Sequence, residues 1–85
     1  MNTPDFLKGI KISKKDEERL WPLMTNWVVL AENITSVKDE EDVKKMILIE
    51  INGKYRLNIV HRLKSRLNTL RKERENRELT EYGAP

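Results

Sequence analysis

The residues able to do chemistry are few, and their spacing narrows what they can do. His61 is the single histidine and there is no cysteine, so one chain cannot build a nitrogen- or sulfur-rich metal site. The acids of Asp39-Glu40-Glu41-Asp42 are consecutive on a predicted helix and point in different directions, so they do not converge as an oxygen cage would. Gly9, Gly53 and Gly83 lie too far apart for a phosphate-cradling loop. No cofactor, metal or catalytic role is expected from this set. His61, off the apolar stripe that begins beside it, reads as a surface residue rather than a proton carrier.

One acid stands out. Helical spacing puts Glu50 in the middle of an apolar stripe, where an unpaired carboxylate is costly, while Arg56 lies in line with the next stripe just past a turn. A pair with Arg56 or Arg62 would offset that cost and fix the angle between two helices. An exposed margin or an oligomer seam is the competing explanation.

The strongest signal is electrostatic. Residues 54–77 hold nine basic and two acidic side chains, a net of +7, within a chain whose total is only +3. Residues 1–53 have eight basic and ten acidic side chains, and residues 78–85 add two acids. Such segregation points to an anionic partner for the basic segment, against the plainer reading of a solvated helix face. Val60, Leu63, Leu67 and Leu70 form a stripe with three- and four-residue steps. Lys64 and Arg71 flank it on one side and Arg62 and Arg66 on the other. If the stripe is buried within the monomer, these cations, with Lys54, Lys72 and Arg74, form a ridge suited to phosphates. If it is a dimer seam, the same cations cover the seam and meet acids on a second copy. Aromatic residues do not interleave with the cations beyond Tyr55, so a stacking platform for single strands is not expected.

These groups must be positioned by helices. Ser13 followed by Asp16 and Glu17 predicts a helix opening near Lys14, either kinked at Pro22 or regular from Pro22 onward, with Trp27 on its buried face. Ser36 or Asp39 is placed to cap a second helix whose first turn is acidic. The stretch "MILIEINGKYRLNIV" is ambiguous, because Asn52-Gly53 is a strong hairpin signal. The helical alternative makes Gly53 a left-handed stop between two helices. It is preferred, since the acidic start runs on naturally into Val43, Met46, Ile47, Glu50 and Ile51 and no third strand is evident. The expected fold is all-α: a small three-helix domain with a long basic C-terminal helix, the alternative being α+β with a hairpin over 46–59. The domain organisation is an N-terminal arm over 1–12, one helical domain over 13–79 and a flexible tail over 80–85.

The run from Glu50 through Gly53, Arg56, Arg62-Leu63, Arg66, Leu70-Arg71 and Arg74-Glu75 resembles the C-terminal helical part of small accessory proteins of tailed bacteriophages. That resemblance implies a viral, non-enzymatic role and no particular activity. A chain of 85 residues has room for one modest core, which makes homo-oligomerisation expected. No run approaches the roughly 20 apolar residues of a membrane span, and no signal peptide is recognised, so a cytoplasmic setting is expected, the host's if the protein is viral. The leading expectation is a module that binds nucleic acid or a nucleoprotein through its basic helix. The alternative is a protein-protein interaction or assembly factor, a virion component or a host-enzyme inhibitor, docking through the apolar residues Ile47, Leu48, Ile49 and Ile51.

Overall fold

The structure is a computed structural model that describes residues 3–81. Met1 and Asn2 of the expected arm and residues 82–85 of the expected tail lie outside them. Four α-helices are present among the described residues: α1 (Lys14–Leu20), α2 (Trp27–Asn33), α3 (Glu40–Asn52) and α4 (Leu57–Glu81). Turns of 3-10 helix occur at Asp5–Leu7, Trp21–Leu23 and Ile34–Ser36. The fold is all-α, and the hairpin alternative is excluded because residues 46–52 are helical and Leu57 opens α4.

Local chemistry sets each boundary. Ser13 and Asp16 form a reciprocal capping box: the Asp16 N–H donates to Ser13 Oγ and the Ser13 N–H to the Asp16 carboxylate, both at 3.1 Å. Pro22 cannot donate to the ladder, so α1 ends in the 3-10 turn that contains it. Asn26 then starts a new helix by accepting the Val29 N–H at 3.0 Å. The one helix expected from sequence, kinked at Pro22 or regular from it onward, is therefore two short ones. This restart also resets the helical phase, which overturns the expectation for Trp27: its side chain lies on the outside, 45% exposed, while Leu30 and Ile34 are buried.

Asp39 caps α3 by accepting the Glu41 N–H at 2.9 Å, and Ser36 instead donates to the Asn33 carbonyl at 2.6 Å. Val43, Met46, Ile47 and Leu48 are buried, with Ile49 and Ile51 packed against the same core. A helix apolar on most sides is a central element, and every other helix here packs around α3 or the core it builds. The surplus apolar surface expected on α3 is therefore covered by the chain itself at Ile47 and Leu48 and only partly at Ile49 and Ile51.

At the end of α3, Gly53 does not take the expected left-handed conformation; its φ is −109°. Tyr55 does so instead, with φ 51°, and its N–H donates to the Glu50 carbonyl at 2.8 Å. Gly53 is needed for a different reason: a Cβ there would stand 3.0 Å from the Ile49 carbonyl oxygen.

α4 runs back antiparallel to α3, as ion pairs at both ends show: Glu50 with Arg56 near the turn and Glu40 with Arg74 at the far end. Ile59, Leu63, Leu67 and Leu70 are buried between the two helices. The stripe thus opens at Ile59, with Val60 half-buried at its edge. At about 37 Å for its 25 residues, α4 occupies most of the 47 Å long axis, and residues 71–80 are all exposed. The N-terminal segment is docked by Leu7, which is buried in the core. No helix among the described residues is long and apolar enough to cross a membrane.

Candidate nucleic-acid interface

Arg56 organises the base of α4. Its backbone N–H and Nε donate to Glu50 Oε2 at 2.7 and 3.0 Å, and Nη2 donates to Oε1 at 2.8 Å. The remaining guanidinium donors reach the carbonyls of Thr25 (2.7 Å) and Met24 (2.9 Å), and the Trp21 ring lies 5.6 Å away. Three segments are joined at one side chain. Burial works to raise the Glu50 pKa, but the hydrogen bonds from the Arg56 side chain and backbone outweigh it and hold the carboxyl below its usual range. Arg56 is correspondingly held charged by Glu50. The pair is internal and offers nothing to a ligand.

The other cations separate into two groups. Arg66 donates from Nε to the Val37 carbonyl (3.2 Å) and from Nη2 to the Thr35 carbonyl (3.1 Å), tying α4 to the end of the 3-10 turn at Ile34–Ser36. Arg74 pairs with Glu40 at 2.7 Å and approaches Glu78 at 3.7 Å. Both were candidate phosphate ligands from sequence, and both are engaged by the chain's own oxygens. Arg71 has a loose, half-exposed partner in Glu75 at 3.9 Å, which leaves it largely available. Lys64 sits over the Phe6 ring, 3.7 Å from its centre. Such a cation–π contact orients the ammonium without neutralising it. Lys54 is exposed beside Trp21, at 5.9 Å. Arg62 and Lys72 have no acidic or hydrogen-bonding partner among the described residues.

Along the sequence no acid falls among these cations, although in the fold Lys54 shares a groove with Glu17 and Glu18 of α1. Residues 54–72 contain no Asp or Glu, and acids return at Glu73, Glu75 and Glu78 on the protruding end. Successive helical residues rotate by about 100°, so the side of α4 opposite Leu63 presents Asn58, His61, Ser65 and Lys72, all exposed. Sequence reasoning centred on the cations named Lys72 and placed His61 on the surface, but missed Asn58 and Ser65. The signal that would have found them is the acid-free interval itself.

Elsewhere some of the charges tie helices together. Arg19 grips the Asp42 carboxylate at 2.8 and 3.0 Å, and Lys45 reaches Asp16 at 3.1 Å, joining α1 to α3. A shallow groove of about 540 Å³ between α1 and the end of α3 is floored by Trp21, Pro22 and Ile49, is rimmed by Lys14, Glu17, Glu18 and Lys54, and holds no serine, threonine, cysteine or histidine. No set of three potential metal ligands converges among the described residues. No protein family, curated protein or solved structure matches the chain, so the function rests on this surface chemistry.

Proposed function

We propose that this protein is a non-enzymatic module that binds nucleic acid through the acid-free half of α4. The observation that carries the reading is the stretch of sequence from Lys54 to Lys72, which contains no acid and in which Arg62 and Lys72 have no partner among the described residues, Lys64 is held over Phe6 and Arg71 has only a loose partner in Glu75. Phosphates neutralised by such cations release counterions, so affinity should fall steeply as salt rises. Arg66 and Arg74 are left out of the contact set, because both already bind oxygens within the fold.

Fluorescence anisotropy with labelled duplex and single-stranded oligonucleotides, at low and at physiological salt, tests the proposal. Binding that weakens with salt supports it. Absence of salt-sensitive binding to any of these probes at micromolar protein rejects it.

A second reading has its own observation. On α2, Trp27 is 45% and Val28 63% exposed, a pair of large apolar side chains side by side on the surface. Single exposed apolar residues are ordinary, but an aromatic beside an aliphatic residue is a fitting anchor for a protein partner or a second copy. On α3, by contrast, Ile47 and Leu48 are buried and Ile49 and Ile51 half-buried against the core. The α4 stripe does not serve as a dimer seam in this reading, since Leu63 and Leu67 are buried within the chain.

A further inference from the structure

The outward side of α4 is polar from Asn58 to Lys72, after the exposed Leu57 that opens the helix, and differs in kind from a merely solvated face. Asn58, His61, Ser65 and Lys72 line its centre, with Arg62 and Asn68 at the margins. Surface helices far from any partner are normally sprinkled with both signs of charge, as the end of α4 is, where Arg71 lies near Glu75 and Arg74 near Glu78. Between Asn58 and Lys72 that pattern stops. The side chains become amides, hydroxyls, an imidazole and cations, the groups that hydrogen-bond to base edges and phosphates. Asn58, His61, Arg62, Asn68 and Lys72 make no side-chain hydrogen bond among the described residues, so their donors and acceptors are available.

The geometry selects among nucleic acids. No aromatic residue lies between Asn58 and Lys72; Tyr55 stands alone in the turn before α4 and one side of the Phe6 ring is taken by Lys64, so there is no series of rings on which successive unpaired bases could stack. The deep, narrow major groove of A-form RNA does not admit a helix, whereas the B-form major groove, about 12 Å wide, does. From Asn58 to Lys72 the face runs about 21 Å at the helical rise, a length that lies along the groove for part of one turn. Arg62 on one margin and Lys64, held by Phe6, on the other are placed for the two phosphate rows that border the groove. The acids from Glu73 onward mark where the contact must end.

We infer that α4 enters the major groove of B-form duplex DNA with its outward face, Asn58 and Ser65 toward base edges and Arg62, Lys64 and Lys72 toward phosphates. This inference rests on the reading that the basic segment binds nucleic acid and names the form bound.

The test uses the full chain and a fluorescein-labelled mixed-sequence DNA duplex containing an A·T tract. It is compared with the RNA duplex and the single strand of the same sequence, and challenged with methyl green, which occupies the major groove, and netropsin, which occupies the minor groove. The expected result is DNA duplex binding about tenfold or more tighter than binding to either RNA duplex or single strand, displaced by methyl green and not by netropsin. Asn58→Ala combined with Ser65→Ala changes only exposed positions; it should reduce discrimination among DNA sequences while leaving the salt dependence intact. Equal or tighter binding to RNA or single strands, or displacement by netropsin alone, overturns the major-groove inference and leaves the nucleic-acid reading standing. No salt-sensitive binding to any probe overturns both.

Discussion

The carboxylate of Glu50 and the guanidinium of Arg56 meet through two side-chain hydrogen bonds, at 3.0 and 2.8 Å, and the same carboxylate accepts the Arg56 backbone N–H at 2.7 Å. The Glu50 side chain is fully buried, and every hydrogen bond its carboxylate accepts comes from Arg56, the residue just before α4. A buried pair contributes little compared with a well-packed apolar replacement, but removing one partner leaves the other uncompensated. Glu50→Ala should therefore cost about 3 to 5 kcal/mol, read as a shift in the denaturant midpoint. Arg56→Lys should also be destabilising, since an ammonium cannot reach the carboxylate and the Met24 and Thr25 carbonyls together. A variant of either kind with parental stability would refute the role given to this pair.

Three carboxylates tie stability to pH. Asp16 is lowered from its usual 3.8 to about 2 by the Ser13 backbone N–H and by Lys45. Asp42 is lowered by Arg19, and Glu50 by Arg56 against the opposing effect of burial. Each binds its proton less readily folded than unfolded, so stabilisation is present above the unfolded pKa and is lost as pH falls through the folded one. The thermal midpoint should stay nearly level from neutrality to about pH 5 and fall between about pH 4 and pH 2. A level midpoint through that acid window would contradict the assignment.

The core between α3 and α4 belongs to one chain. Leu63→Ala or Leu67→Ala should cost about 2 to 5 kcal/mol, the range for deleting a buried leucine side chain. Because the stripe is covered by α3, the melting midpoint of the parent should be independent of protein concentration, unlike that of a dimer held together along this stripe. A midpoint that rises with concentration, together with a Leu67→Ala variant that becomes monomeric, would return the seam to an interface.

The turn makes opposite demands on two neighbours. Gly53→Ala should destabilise, since its new Cβ would press on the Ile49 carbonyl oxygen at 3.0 Å. Tyr55→Gly should be neutral or stabilising by about 1 kcal/mol, because glycine takes a positive φ without the penalty borne by a side chain. Equal losses from both substitutions would refute this account of the turn.

Much of the fold was legible because its signals are local. The Ser13 and Asp39 caps and the acidic first turn of α3 act within one helical turn, and the apolar run from Val43 onward needs only periodicity. The pairing of Glu50 with Arg56 was also accessible, since an acid inside an apolar stripe demands a nearby cation. What stayed hidden depends on partners distant in sequence. Arg66 looks like its neighbours until the carbonyls of Thr35 and Val37 are brought to it, and Arg74 until Glu40 is. The break before Trp27 was hidden differently: Asn26 is a competent cap, but the helical periodicity across Pro22 masks it.

The central claim, that the acid-free half of α4 binds nucleic acid, is tested most directly by the slope of log affinity against log salt for the parent and two variants. Arg62→Ala combined with Lys72→Ala removes two cations without internal partners and should make the slope shallower by about 2 while weakening binding. Arg74→Ala removes a cation already paired with Glu40, and its slope should match the parent's. A parent slope near zero, or a double variant indistinguishable from the parent, would contradict the claim.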